Sequence, residues 1–304
     1  MKANGSFPVT AIFGAAGFIG RNLLSKFSGN NPRTVGVARN AGNGLLSLDL
    51  LNPDISLLEL KRRGVSHAVI AAGASKIAPC EEDPVSTRKV NTQGTVELAT
   101  QLCDQGIKVI ALSSDYVFDG TTGHYGEASP VSPVNEYGRQ KAEMEKLLLK
   151  IGGENVLILR LSKVFDMIKG SRTLLDEMAG MLTRGETVSV ARDQFFCPVW
   201  VNDVVNVIGR LMATDANGVM HLCAPQKISR LELARNIAET FGVGPNLVKS
   251  ISLRDLGEDF LRPLDTSMVC DRLDRYVKYN FKDIQGCIKG LALNYRGNIH
   301  DEKV

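Results

Sequence analysis

Tyr137 and Lys141 stand four positions apart in Tyr137-Gly138-Arg139-Gln140-Lys141. On a helix, positions i and i+4 share a face, so the phenol and the ammonium converge on one point. A free Tyr titrates near 10, and a close cation stabilises the phenolate. The pairing is therefore expected to lower that value and let Tyr137 transfer a proton at neutral pH. Ser114 lies upstream, at the end of an apolar run that reads as a strand. Its hydroxyl can hold the oxygen that Tyr137 protonates. A hydroxyl, a tuned phenol and a lysine suit a carbonyl being reduced or an alcohol being oxidised. Taken alone, Tyr-x-x-x-Lys is also common on surface helices that carry no chemistry.

The N-terminal residues supply the context. Val9-Thr10-Ala11-Ile12-Phe13 is a short β-prone run leading into Gly14-Ala15-Ala16-Gly17-Phe18-Ile19-Gly20, then into a segment with helical spacing. Strand, Gly-rich turn and helix in that order are what a dinucleotide site requires. Gly14 permits the tight turn, Gly17 lets backbone approach a pyrophosphate, and Gly20 lets helix and strand pack closely. Phe18 and Ile19 belong to the same turn, just ahead of a helix N-terminus whose free N–H groups and positive dipole end face the phosphates. Past the second strand, sites that prefer NAD carry an acid for the ribose 2′-hydroxyl, whereas an Arg accommodates a 2′-phosphate. Here the chain reads Val37-Ala38-Arg39-Asn40. NADP(H) is therefore favoured, with NAD(H) possible; Arg39 can equally be a solvated loop residue.

Together these segments resemble the extended short-chain dehydrogenase/reductase family, and within it the dTDP-4-dehydrorhamnose reductase group. The resemblance rests on Ser113-Ser114-Asp115-Tyr116-Val117-Phe118-Asp119-Gly120, on Pro133-Val134-Asn135-Glu136-Tyr137-Gly138-Arg139-Gln140-Lys141, on Asp193-Gln194-Phe195-Phe196-Cys197-Pro198 and on Arg262-Pro263-Leu264-Asp265-Thr266-Ser267. These occur in family order. Three positions depart from the pattern: Lys163 stands where the group usually carries Trp, Phe196 replaces a Gly, and Asp265 replaces an Asn. All three lie in segments that line the sugar side in the family, so reductase chemistry is better supported than any particular sugar.

The resemblance implies further roles. Asn91 matches a helix asparagine that supports the active-site geometry. Asp49 resembles an acid that bonds the adenine edge, though it also reads as a turn residue. Ala71, Ala72 and Gly73 resemble the small-residue segment beneath the cofactor. Lys141 is implied to bond the nicotinamide ribose as well as tune Tyr137. Asp115, Tyr116, Lys163, Gln194 and Arg262 are implied on the substrate side, Arg262 as a clamp on the nucleotide diphosphate. Tyr116 is equally suited to core packing, and Arg262 to an exposed position beside Pro263. The implied activity is NAD(P)H-dependent reduction of a 4-keto-6-deoxy nucleoside-diphosphate sugar. Two alternatives stay open: a nucleotide-sugar epimerase with tightly bound cofactor, and a non-catalytic regulatory subunit of the same fold. Tyr116, where dehydratases of the family place Glu after the Asp, argues against dehydration.

The elements that must position these residues read as a Rossmann-type α/β fold. Candidate strands are 9–13, 34–38, 68–72, 108–112 and 156–160, alternating with helical segments at 20–27, 55–63, 88–105 and 136–150, as in a doubly wound parallel sheet. Helices are also expected at 173–183, 201–212 and 230–241, the last capped by Ser229, with a strand at 188–190. Residues 1–165 are expected to bind the cofactor, with a return segment near 199–213. Residues 166–304 are expected to form a smaller mixed α/β substrate lobe, its end frayed from about 298.

Bulk properties exclude other classes. A chain of 304 residues with a 44% hydrophobic fraction can bury a large core. The net charge of +3, with both signs mixed, leaves no footprint for nucleic acid. The six cysteines include no Cys-x-x-Cys pair and the four histidines show no metal spacing, so no metal is expected. No apolar run approaches bilayer length, and the early first strand leaves no room for a signal peptide. The expectation is a cytoplasmic enzyme, with a homodimer as the common case for soluble enzymes.

Overall fold

In a computed structural model describing residues 7–257 and 260–297, the apolar runs of the first half pair into one sheet. Its strands are β1 (Thr10–Phe13), β2 (Val35–Ala38), β3 (Leu46–Ser47), β4 (His67–Ile70), β5 (Lys108–Ser114) and β6 (Val156–Leu161). After the short strands β7 (Val164–Phe165), β8 (Val188–Ala191), β9 (Phe195–Phe196) and β10 (Val199–Trp200), β11 (Gly218–Leu222) returns to its edge. The order is β3-β2-β1-β4-β5-β6-β11, and every pairing within it is parallel. This is the Rossmann-type arrangement. Order reverses beside β1, and the crevice at the carboxyl ends of β1 and β4 is where such sheets bind ligands.

Successive residues in each strand serve opposite faces. Ala68 and Ile70, Val109 and Ala111, and Val156 and Ile158 face one core. That core is closed by α4 (Thr95–Asp104) and α5 (Glu136–Ile151) through Leu98, Leu102, Met144 and Leu148. Val69, Ile110, Leu112, Leu157 and Leu159 face the other. It is closed by α1 (Phe18–Asn30) and by the helix Val201–Leu211, which packs on α1. Each fully buried aliphatic contributes about 1.5–3 kcal/mol of transfer free energy. A separate core gathers Leu174–Thr183, Arg230–Phe241 and Ile284–Tyr295 around β8, with Leu175, Leu233, Ile237 and Ile288 at its centre.

Two expectations change. Residues 55–63 form only a 3₁₀ turn at Ser56–Leu58, after which Glu59 adopts φ 50°. Ile55, Leu58 and Leu60 are all buried while Leu57 is 87% exposed. Burying both Leu58 and Leu60 needs two-residue alternation, which a helix cannot supply. The helix expected over 88–105 is interrupted by a π turn at Lys89–Gly94. That turn aims Asn91 and Thr92 together at Gln140 of α5, at 2.8 and 3.0 Å. The expected fraying from 298 lies outside the described residues. Among those described, no helix is long and apolar enough to cross a membrane.

One polar network was invisible in the sequence. Arg160 of β6 donates twice to Glu145 of α5, the closer contact being 2.7 Å, with both side chains 4% exposed. Ser113 donates to the same carboxylate, and the guanidinium lies 5.1 Å from the centre of the Phe118 ring. His221 sits 3.4 Å from Arg160, and burial plus that cation push its pKa down to about 4.

Candidate active site

The turn after β1 is shaped by contact. Gly14 has φ +89°, and a Cβ there would lie 2.6 Å from the Ala72 nitrogen. A Cβ on Gly20 would lie 2.0 Å from the Gly14 carbonyl oxygen, so helix and turn touch with nothing between them. Gly17 caps α1 without any side chain occupying its N–H groups. Gly17, Phe18 and Ile19 therefore open onto a cavity of about 690 Å³, while Gly14 and Gly20 stand behind it.

Ala71, Ala72 and Gly73 form the facing wall. Asn91 is fully buried outside the cavity. Its Oδ1 accepts from Ala74 N–H at 2.7 Å, and its amide donates to the Ala74 carbonyl at 3.0 Å and to Gln140. It fastens the wall to α5.

The same cavity is lined by Ser114, Asp115, Tyr116, Tyr137 and Lys141. Ser114 ends β5, and Tyr137 and Lys141 come from the first turns of α5, whose cap Asn135 accepts from Gly138 N–H at 2.9 Å. The rings of Tyr116 and Tyr137 meet edge to face at 6.1 Å. The expected lowering of the Tyr137 pKa does not occur here. Burial raises it and outweighs the neighbouring Ser114 hydroxyl, which favours the phenolate. Lys141 donates instead to the Leu112 carbonyl at 2.9 Å, and burial pushes its own pKa down to about 8.

Lys163, Gln194 and Arg262 line the same cavity. Gln194 is buried; its amide donates to the Pro263 carbonyl at 3.5 Å and its oxygen accepts from Arg230. Arg262 hydrogen-bonds Tyr116 and lies 5.2 Å from the centre of the Phe260 ring. Lys163 is exposed to the cleft, and the surrounding protein, together with Arg230, lowers its pKa. Arg39 and Asp49 lie apart from this cavity and are exposed. The Arg39 carbonyl accepts from Ser47, and Asp49 accepts from Leu51 N–H at 3.0 Å in a local turn.

Sequence reasoning missed Arg230, Ser162, Thr266, Ser75 and Lys76, which also reach or border the cavity. Arg230 had a signal: it opens a helix, where a cation opposes the dipole, so another task holds it there.

A parallel sheet with a glycine turn after β1 and a Ser-Tyr-Lys cluster at its carboxyl edge defines an oxidoreductase of the extended short-chain dehydrogenase/reductase type. Residues 10–294 match the family model described as the RmlD substrate binding domain, and the chain belongs to that family. It is 28% identical over 253 residues to dTDP-4-keto-6-deoxy-D-glucose reductase of Streptomyces niveus, covering 83% of this chain and 85% of that one. It is 25% identical over 274 residues to methionine adenosyltransferase 2 subunit beta of Xenopus tropicalis, covering 87% of this chain and 81% of that one. Its fold matches dTDP-4-dehydrorhamnose reductase from Bacillus anthracis str. Ames in complex with NADP. That match has a TM-score of 0.81 at 22% identity and covers 95% of this chain and 98% of the other.

Proposed function

We propose that the protein reduces a 4-keto-6-deoxy nucleoside-diphosphate sugar, with NADP(H) favoured over NAD(H). One observation carries the reading. Ser114, Tyr137 and Lys141 share a single cavity with the uncapped start of α1 and with Lys163 and Arg262. The close glycine contacts fit a dinucleotide, since any side chain on Gly14 or Gly20 would fill or displace the cradle. Gly17, Phe18 and Ile19 offer backbone N–H groups to the pyrophosphate, and Ala71, Ala72 and Gly73 leave room beside it. Arg39 is assigned to the 2′-phosphate and Asp49 to the adenine edge. When bound, the reduced nicotinamide supplies hydride.

The chain's own residues do the rest. Tyr137 donates a proton to the developing oxyanion, Ser114 fixes its geometry, and the Lys141 ammonium provides positive charge beside both. Asn91 acts only through the wall it fastens. Arg262 takes the diphosphate, a planar fork suited to two phosphate oxygens. Tyr116, Lys163 and Gln194 frame the sugar. Residues 1–165 are assigned to the cofactor together with a return that runs past the expected 199–213 to β11 at Gly218–Leu222, and the rest of 166–304 to the substrate. The reading implies a cytoplasmic enzyme, and we assign a homodimer, testable by sedimentation.

The test is NADPH consumption with dTDP-4-keto-6-deoxy-glucose and with its 3,5-epimerised form, using Tyr137→Phe as control. Oxidation that vanishes in the variant supports the reading. No oxidation with either sugar would overturn the assignment. The similarity to the methionine adenosyltransferase subunit favours one second reading, a binding partner; full cellular function of Tyr137→Phe would support it.

A further inference from the structure

Among the described residues that line the cavity Asp115 is the one carboxylate, and it is 4% exposed. Hydroxyls from three segments converge on it. Ser114 donates to Oδ1 at 3.0 Å, and Thr266 and Ser162 donate to Oδ2 at 2.7 and 3.3 Å. Three of its roughly four lone-pair positions are thus engaged by protein hydroxyls. Ser114 has a single proton, and while it points at Asp115 it cannot be given to a substrate oxygen. The same Ser114 oxygen interacts with the Tyr137 phenol and accepts from Tyr116 N–H at 3.2 Å. Asp115 Oδ1, Ser114 Oγ and Tyr137 Oη therefore stand in series, from a buried carboxyl to the cavity.

We propose that Asp115 is the proton reservoir that recharges Tyr137 through Ser114. The proposal rests on the reading of Tyr137 as proton donor. The Tyr137 O–H bond breaks as its proton passes to the substrate oxygen. With Asp115 protonated the Ser114–Asp115 hydrogen bond runs the other way, the carboxyl donating to Ser114 Oγ and Ser114 turning its own proton to Tyr137. The Ser114 proton then passes to Tyr137 Oη, and the Asp115 carboxyl proton passes to Ser114 Oγ. One proton leaves the carboxyl and one O–H bond is gained by the product. Tyrosine and serine end as they began, and Asp115 ends as a carboxylate. On product release hydronium or a buffer acid from the solvent returns a proton to the carboxylate.

The surroundings suit that task. Burial raises the Asp115 pKa to about 6, against the three hydroxyls and Lys163, which favour the carboxylate. The other titratable groups that face it are Tyr116, Tyr137 and Cys197. Arg230 and Arg262 act on Tyr116 and Lys163 beside it. A carboxyl of ordinary acidity would hold almost no proton near neutrality; this one holds a usable fraction.

Asp115→Asn preserves size, with one accepting oxygen and one donating amide nitrogen in place of the two carboxylate oxygens, and removes the titrating proton. Its kcat for reduction should fall about 100-fold with the sugar KM unchanged. Wild-type kcat should decline tenfold per pH unit above the Asp115 ionisation, and the variant should be flat there. Thr266→Val removes a hydrogen bond that favours the carboxylate, so the descending limb should move up by about one pH unit. Infrared titration of cofactor-free protein should show a protonated-carboxyl band near neutrality that is absent in Asp115→Asn. A wild-type pH profile in Asp115→Asn, a raised KM with kcat preserved, or no such band would overturn the proposal. If wild-type protein reduces no keto sugar, the reductase reading fails instead, and the infrared band still reports whether Asp115 carries a proton.

Discussion

Replacing Lys141 with Met should stabilise the fold while stopping turnover. Lys141 is 7% exposed, and its ammonium has the Leu112 carbonyl as its oxygen acceptor, at 2.9 Å. Burial lowers its pKa from 10.5 to about 8. At about 1.4 kcal/mol per pH unit, holding the ammonium there costs the folded state about 3 kcal/mol. Met keeps the straight apolar stem, but it leaves the Leu112 carbonyl without its charged donor, a loss of about 1.5–3 kcal/mol. The variant should therefore be more stable by about 1 kcal/mol at pH 7. The sign follows from proton counting. Below pH 8 folded and unfolded chains both hold the proton and the full cost applies. Between about 8 and 10.5 the unfolded chain binds more protons, so wild-type stability rises relative to the variant. Urea midpoints of the cofactor-free proteins should converge through this window and then cross. A constant offset from pH 7 to pH 10 would refute the argument, because it would mean that the ammonium is not desolvated.

Other outcomes are equally specific. Glu145→Ala leaves Arg160 buried without its carboxylate and should cost about 3–5 kcal/mol in urea unfolding; a loss below about 1 kcal/mol would mean that the pair is not buried as described. Gly20→Ala forces a methyl onto the Gly14 carbonyl and should weaken dinucleotide binding more than tenfold by calorimetry, whereas unchanged affinity would remove the turn from the cofactor site. Arg39→Ala should raise the KM for NADPH about tenfold and leave that for NADH unmoved, as expected for loss of one exposed phosphate contact. Equal effects on both cofactors would place Arg39 elsewhere.

What was legible in the sequence was local. The turn from Gly14 to Gly20 and the shared face of Tyr137 and Lys141 follow from spacings of three and four residues, which one element enforces alone. The strands were legible because their apolar runs are buried on both faces. What escaped depends on distant partners. Glu145 and Arg160 lie on a helix and a strand that meet only through the sheet, and the Tyr137 environment is decided by burial, which spacing does not encode. Residues 55–63 misled because Ile55, Leu58 and Leu60 combine a helical interval with a strand-like one. Ser162 and Thr266 gave no signal, since hydroxyls are ordinary loop residues until a buried carboxylate lies between them.

The paired serines at the end of β5 carry a constraint of their own. Ser113 points to the face of Val109 and Ala111 and bonds Glu145; Ser114 points to the face of Ile110 and Leu112 and meets Asp115. Neighbours of identical chemistry thus hold unrelated posts, one in the framework and one at the reacting centre. Inserting or deleting one residue anywhere between 108 and 112 exchanges their faces. An insertion ahead of Val109 would bring Leu112 rather than a serine opposite Glu145, and Leu112 and Ile110 would exchange cores with Val109 and Ala111. The length of this strand is therefore fixed by its hydrophobic sides, and changes in chain length across the family should fall in the connections, never inside β5.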